Sequence, residues 1–195
     1  IKVIYNGIDH EKFTPGVKSE YPLILWIGRL KKYKNPLDAI KIFKKLNNRK
    51  AVLIMVGSGE MEKEIKDAIA GEKNIFFLGK VDEKKKIELY QKAWVVLSTS
   101  FIEGWGMTIV EANSCGTPAV AYSTGAMSEI IREGVNGFLV NYKDYNKAAE
   151  AISYLIEDEN FMRYLSKLSY ESSLKYDWNK TSEEYYKYIW ETVVD

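Results

Sequence analysis

The 195-residue chain has a single cysteine, a single histidine and only four prolines, and its charges nearly cancel, 28 Lys and Arg against 27 Asp and Glu. Each shortage removes a class of function. The lone Cys115 excludes an internal disulfide and fits a reducing compartment. With one histidine and one cysteine there is no zinc set, and no Cys–His nucleophile pair is in sight. Ser/His/Asp chemistry would have to use His10, which stands in a polar segment and reads as an exposed loop residue. No Asp-x-Asp pair is present, so a carboxylate-held metal on a diphosphate is not indicated, and no metal ligands are expected. A net charge of +1 supplies no global field to gather nucleic acid or an anionic membrane. The runs Lys31-Lys32 and Lys84-Lys85-Lys86 read as solvated faces. There is no signal peptide and no apolar run long enough to span a bilayer, so the expected setting is cytoplasmic. The chain opens on Ile1 rather than Met with residues that already read as a strand, the pattern expected of a fragment.

What is present is ordinary globular material: 46% hydrophobic and 28% charged residues, in a length that suits one domain with a sizeable core. Short apolar runs recur at Lys2–Ile4, Leu23–Ile27, Ala51–Val56, Ile75–Leu78, Trp94–Leu97, Ala119–Ala121 and Phe138–Val140. Stretches with helical spacing lie between them. Pro36 opens one, where a first-turn proline costs little, with Leu37, Ile40, Phe43 and Leu46 as its apolar stripe. Another runs from Glu60 past Ile69. Asp82 and Asp144 are suited to capping the helices that follow them. After Val140 the chain reads as helical to its end, with a break near Tyr176–Asn179. This alternation predicts an α/β, doubly wound, Rossmann-like parallel sheet covered on both faces, with a helical C-terminal tail. In the tail, Trp178, Tyr185, Tyr186, Ile189 and Trp190 share a helical face and read as packing residues.

In such sheets ligands bind beyond the carboxyl ends of the strands, so the loops leaving the strands carry the functional signal. After Leu23–Ile27, Gly28 lets the backbone turn, and Arg29 and Lys34 could grip a diphosphate, one as a fork and the other as a point charge. After Ala51–Val56, Gly57 and Gly59 precede a helix whose amides could face an anion, but Glu62 stands where a dinucleotide fingerprint wants glycine. The richest loop follows Trp94–Leu97 and reads STSFIEGWGMTIVEANSCG. Gly104 and Gly106 remove side chains, which lets amides approach a ligand. A helix starting near Gly106 would aim its positive end at phosphate. Glu111 could accept from vicinal hydroxyls such as those of a ribose, and Glu103 from a sugar hydroxyl. The plainer alternatives are a solvated basic loop, a tight strand-to-helix turn, a surface acid at 103 and a salt-bridged acid at 111. Ser123–Glu129 forms a further loop feeding a helix.

Together these loops resemble the retaining glycosyltransferases of the GT4 family, whose fold is the two-domain GT-B type. The likeness rests on VIYNGIDHEKF, on GRLKKYK, and on EGWGMTIVEANSCGTPAVA, in which two glutamates separated by seven residues are followed by Cys-Gly-Thr-Pro. It covers nearly the whole chain, as the family's C-terminal, donor-binding half. The resemblance implies a nucleotide-sugar-binding domain over residues 1–175. It also implies a C-terminal helix over 176–195 that crosses back to an N-terminal acceptor domain, which would leave the tail's aromatic stripe partly exposed.

By resemblance, Arg29, Lys34 and Glu103 would do the catalytic work, the cations on the diphosphate and Glu103 on the transferred sugar. Glu111 would hold the ribose. Gly28, Gly57, Gly104, Gly106, Met107 and Thr108 would line the donor site, with Lys80 and Val81 beside the base. The donor is a nucleotide-diphosphate sugar, with UDP or GDP expected, and neither metal nor cofactor is needed. The partners implied are the donor and the acceptor domain, with any peripheral membrane contact at the cytoplasmic face made by that other domain. Other GT-B enzymes (epimerases or hydrolases) share this pattern. An NAD-binding or purely regulatory Rossmann-like domain fits it less well. Asn35 and Ala126 depart from the family, which often has glycine at both places.

Overall fold

The structure, a computed structural model, describes residues 2–193. Its centre is a sheet of six parallel strands: β1 Leu23–Ile27, β2 Val52–Val56, β3 Ile75–Phe77, β4 Val95–Ser98, β5 Ala119–Tyr122 and β6 Gly137–Val140. Their spatial order is β3-β2-β1-β4-β5-β6. The chain builds outward from β1 in one direction, then returns to start again beside β1 with β4. The order therefore reverses between β1 and β4, and a crevice opens there at the carboxyl ends of the strands.

Alternation along each strand sends neighbouring side chains to opposite faces. Ile24 and Trp26 join one buried cluster, with Leu53, Met55, Val95 and Leu97 from the neighbouring strands. Helices α1 (Pro36–Phe43), α2 (Glu62–Ala68) and α6 (Tyr145–Glu157) contribute to it through Ile40, Ile65 and Ile152. Leu23 and Leu25 point the other way, toward Leu89 of α3 (Glu83–Lys92) and Ile109 of α4 (Met107–Ser114). Met127 and Ile130 of the short α5 (Met127–Ile130) complete that second cluster. Each such side chain, fully buried, contributes about 1.5–3 kcal/mol relative to exposure.

The capping expectations are met: Asp82 accepts from the Lys85 amide at 2.7 Å and Asp144 from the Lys147 amide at 3.0 Å. Helix α2 is shorter than the pattern running from Glu60 past Ile69, because the Gly59-Glu60-Met61 turn holds its start back. The C-terminal part is helical as expected, with α7 at Glu159–Ser173 and α8 at Trp178–Val193 on either side of the anticipated break.

Two expectations fail. Lys2–Ile4 forms no strand, since a strand needs a partner and this segment has none; Val3 is left 67% exposed. Among the described residues, the ladder contact nearby is a single parallel bridge between Ile8 and Asp177. The aromatic stripe of α8 does not pack within the chain as its spacing suggests: Trp178, Tyr185, Tyr186, Ile189 and Trp190 are all exposed, in line with the exposure that the family resemblance implies. Ile1 and the last two residues of the expected 176–195 helix lie outside the described residues.

Candidate functional site

The loop after β1 runs from Gly28 through a 3-10 turn, Lys32–Lys34, to Asn35 at the start of α1. Asn35 has φ 45° and ψ 52°, the left-handed region that asparagine tolerates better than most residues. This accounts for asparagine where glycine would also serve. Its side chain adds something glycine lacks, donating to the Thr99 carbonyl at 3.1 Å. Thr99 in turn donates to main-chain oxygens of Lys34 and Asn35 and accepts from the buried Trp26 indole at 2.9 Å. The Phe101 amide donates to the Tyr33 carbonyl at 2.7 Å. The loops leaving β1 and β4 are thus stitched together over the crevice.

That stitching brings together two residues 69 positions apart. The Lys34 ammonium is ion-paired with the Glu103 carboxylate, with the side chains only 12% and 17% exposed, and the Ser100 hydroxyl donates to the same oxygen at 3.0 Å. Arg29 stands outside this pair. It is exposed, donates to the Tyr33 hydroxyl at 2.6 Å, and lies 5.8 Å from the centre of that ring. Arg29 and Lys34 are therefore differently placed, Lys34 committed to a carboxylate and Arg29 at the surface.

Gly106 is required where it stands. Its φ is 81°, and a Cβ there would lie 2.3 Å from Met127 Cε. It caps α4, whose first amides, Met107 and Thr108, donate to no group of the chain among the described residues. Gly104 is different: a Cβ there would meet nothing within 4 Å, so the fold does not demand this glycine. Ala126 has φ −74°, a conformation any residue adopts, and its amide donates to the Glu103 carbonyl at 3.2 Å. The departure from glycine at 126 is therefore conformationally neutral.

Glu111 points from α4 toward α3. One carboxylate oxygen accepts from Lys86 Nζ at 2.7 Å and the other from the Tyr90 hydroxyl at 2.8 Å. Burial, reinforced by the Glu111 charge, holds the Tyr90 phenol well above its ordinary pKa, so it stays protonated and donates. Of the two sequence readings of Glu111, the salt-bridged one describes this state. A carboxylate has about four lone-pair sites, so two remain for other donors. Lys86 and Tyr90 were not singled out for this role in the sequence. Their spacing of four on one helix was the available signal, hidden by a lysine run that reads as solvent-facing.

Gly57 does not offer its amide to a ligand. Its N–H donates to the Gly79 carbonyl at 2.9 Å, and with φ 144° a Cβ there would lie 1.8 Å from the Gly28 oxygen. Close backbone packing explains this glycine. Gly28, at the other side of that contact, would bring a Cβ no closer than 3.4 Å to the Trp26 ring. Lys80 is exposed just beyond the edge strand β3, while Val81 packs against the second core cluster. His10 is not the exposed loop residue expected. Its Nδ1 lies 3.0 Å from the Ser114 hydroxyl, and its Nε2 is buried with no hydrogen-bond partner among the described residues.

The geometry can be set beside known proteins. The family model described as Glycosyl transferases group 1 matches residues 7–172. An uncharacterized glycosyltransferase of Methanocaldococcus jannaschii is 32% identical over 206 residues, covering 94% of this chain and 52% of the relative. A poly(glycerol-phosphate) alpha-glucosyltransferase of Bacillus subtilis is 34% identical over 167 residues, covering 82% and 24%. The chain thus spans about half, or less, of the length of these relatives. Among solved structures, sucrose-phosphate synthase from Thermosynechococcus elongatus superposes with a TM-score of 0.89 at 21% identity, over 99% of this chain and 53% of that one. HepE of Anabaena in complex with UDP-glucose superposes with a TM-score of 0.86 at 25% identity, over 96% and 57%. In fold this chain matches one half of GT-B structures, and by sequence it belongs to the glycosyl transferases group 1 family.

Proposed function

We propose that this chain is the donor-binding half of a retaining glycosyltransferase and that it holds a nucleoside-diphosphate sugar in the crevice between β1 and β4. The observation that carries the reading is the convergence at that crevice of Lys34, Glu103 and the uncommitted amides that open α4. Arg29 and Lys34 take the diphosphate, and the amides of Met107 and Thr108 add donors along its path. An ammonium has three donors, so Lys34 keeps Glu103 while it reaches a phosphate. Glu103 accepts from the sugar, and Glu111 uses its remaining lone pairs on the ribose. Lys80 and Val81 flank the base. A relative structure holds UDP-glucose, which makes a UDP-sugar the first donor to try.

In the reaction the bond from the anomeric carbon to the phosphate oxygen breaks, and the acceptor oxygen bonds to that carbon on the same face. The acceptor proton passes to the departing phosphate. Negative charge grows on the diphosphate as it leaves, where Arg29 and Lys34 stabilise it most. The acceptor has to be held in line by a second wall. In this reading that wall is the acceptor domain, so the chain alone binds donor and transfers no sugar.

The test is calorimetric titration of residues 1–195 with UDP, GDP and ADP and their sugars, in the presence of chelator. Binding that Arg29→Ala and Lys34→Ala each weaken by about 1.5–3 kcal/mol is the expected result. Unchanged affinity would remove the diphosphate assignment. Incubation with labelled donors and a broad acceptor mixture completes it: robust acceptor-dependent transfer by this chain alone would overturn the half-enzyme reading.

A further inference from the structure

The residue between the two glycines of the Glu103–Gly106 loop has no role in the reading above. Trp105 turns away from the crevice. Its ring stacks on Tyr5, with centroids 4.4 Å apart and planes at 19°, and meets the edge of Tyr176 at 5.2 Å. Tyr5 and Tyr176 also touch each other, at 6.1 Å. These two tyrosines sit just outside the family-matched segment, 7–172, one on each side of it.

The flanking segments are fastened to one another as well. Ile8 bridges to Asp177, the Ile8 amide donates to the Tyr176 carbonyl at 2.9 Å, and the Thr181 hydroxyl donates to the Tyr5 carbonyl at 2.9 Å. A Cβ on Gly7 would lie 2.5 Å from the Trp178 backbone, so the two segments run in direct main-chain contact. The Tyr5 hydroxyl donates to Glu129 of α5 at 3.1 Å. Helix α5 holds the other side of the same loop, through the Ala126 amide on the Glu103 carbonyl and Met127 beneath Gly106.

We propose that Trp105 is a positioning residue that couples the Glu103–Gly106 loop to the segments flanking the domain, so that ordering those segments and binding the donor favour each other. Glu103, which meets the sugar in the reading above, and Gly106, which sets the start of α4, are the immediate neighbours of Gly104 and Trp105. Docked flanks fix the ring, and the fixed ring places both. Undocked flanks release it, and the loop keeps only its α5 contacts. Coupling of this kind is reciprocal by thermodynamic necessity, and 5- to 150-fold effects on affinity are typical of it. The ring acts through its faces, because the buried indole N–H has no acceptor among the described residues. The inference rests on the donor-binding reading for its second half only.

Two measurements on the 195-residue chain separate the halves. The first needs no ligand: amide hydrogen exchange at Ala126 and Phe101, whose bonds to Glu103 and Tyr33 report loop order. Tyr5→Ala, Tyr176→Ala and Trp105→Ala should each speed exchange at these amides at least fivefold. The Tyr5→Ala/Trp105→Ala pair should be no faster than Trp105→Ala alone. Trp105→Phe, which keeps a stacking face, should restore the wild-type rate. Exchange at Val52, held by the Pro22 carbonyl in the core, should not change and so excludes general destabilisation. Wild-type rates at Ala126 and Phe101 in the Tyr5 and Tyr176 variants, or additive effects in the pair, would overturn the coupling.

The second measurement is UDP-glucose affinity in the same variants, which should fall in the same order. Loss of loop protection with unchanged affinity would overturn the link to the donor. Absence of binding by the wild type would instead refute the functional reading and leave the exchange test standing.

Discussion

Replacing Lys34 by methionine removes one partner of an ion pair that solvent barely reaches. At about 4 Å and an effective dielectric near 20, two unit charges attract by about 4 kcal/mol, part of which is offset by the cost of desolvating both. Taking away one partner leaves the other charge stranded, an effect of about 3–5 kcal/mol in full burial. With the side chains at 12% and 17% exposure, and Ser100 still donating to Glu103, about 2–3 kcal/mol is expected for Lys34→Met. Glu103→Gln strands the ammonium and should cost a similar amount. The double variant strands neither and should be at least about 1 kcal/mol more stable than the sum of the singles predicts. Urea unfolding of the four proteins closes the cycle. Additivity within about 0.5 kcal/mol would show that the pair is a surface contact without energetic weight, and the geometry used here to define the crevice would lose its meaning. Ligand titration extends the test. Glu103→Gln releases Lys34 and should leave UDP affinity equal or higher while weakening UDP-glucose; equal losses for both ligands would refute the assignment of Glu103 to the sugar.

Gly57→Ala should destabilise the chain by more than about 2 kcal/mol in denaturant titration, since its Cβ would collide with the Gly28 carbonyl at positive φ. Gly104→Ala, which meets open space, should shift stability by no more than about 0.5 kcal/mol yet weaken nucleotide-sugar binding in calorimetry. Asn35→Gly keeps the left-handed backbone and loses only the side-chain bonds to the Thr99 and Tyr33 carbonyls, whereas Asn35→Ala loses those bonds and strains the backbone, so alanine should be the less stable in thermal melts. Burial lowers the Lys18 amine to about 7, with Thr117 Oγ1 its hydrogen-bond partner. Between pH 7 and 8.5 the unfolded lysine therefore binds more protons than the folded one, and stability should rise with pH. Comparing urea midpoints of wild type and Lys18→Met across that window isolates the contribution, which the variant should abolish; burial raises the Cys115 thiol from 9.0 to about 12, so its opposing effect grows only as pH nears 9.0 and stays the smaller one across this window.

The sheet was legible because β1, β2, β4 and β5 are short apolar runs cut off by glycine or polar residues, the pattern of strands buried on both faces. Lys2–Ile4, a shorter run with Val3 and Ile4 as its apolar residues, fails because pairing is decided by what lies beside a segment, which no local pattern records. The crevice was legible loop by loop, yet nothing in the spacing of Lys34 and Glu103 says that they touch. Their contact follows from the reversal of strand order between β1 and β4, a property of topology. Gly57 and Gly104 show the limit from the other side. In the sequence both suggest room for a ligand, but one glycine is demanded by a neighbouring carbonyl and the other by no group among the described residues.

The loops beyond β1, β2 and β3 are joined mainly by main-chain bonds, with the exposed Lys31–Glu60 ion pair at 3.2 Å beside them. The Gly28 amide donates to Val56, Leu30 to Ser58, and Gly57 to Gly79, each at 2.9 to 3.0 Å. Mechanically this extends the sheet past the ends of its strands, and a sheet resists shear. Across the crevice the rim after β4 is held mostly by side chains: Thr124 to the Ser100 carbonyl, Ser100 to Glu103, and the aromatic stack at Trp105. One lip of the crevice is therefore stiff and the other compliant. On the stiff lip side chains can be exchanged without moving the backbone, so its chemistry can drift while its shape persists. On the compliant lip a single substitution changes shape and chemistry together, and diversification there should come in coordinated sets of residues rather than singly.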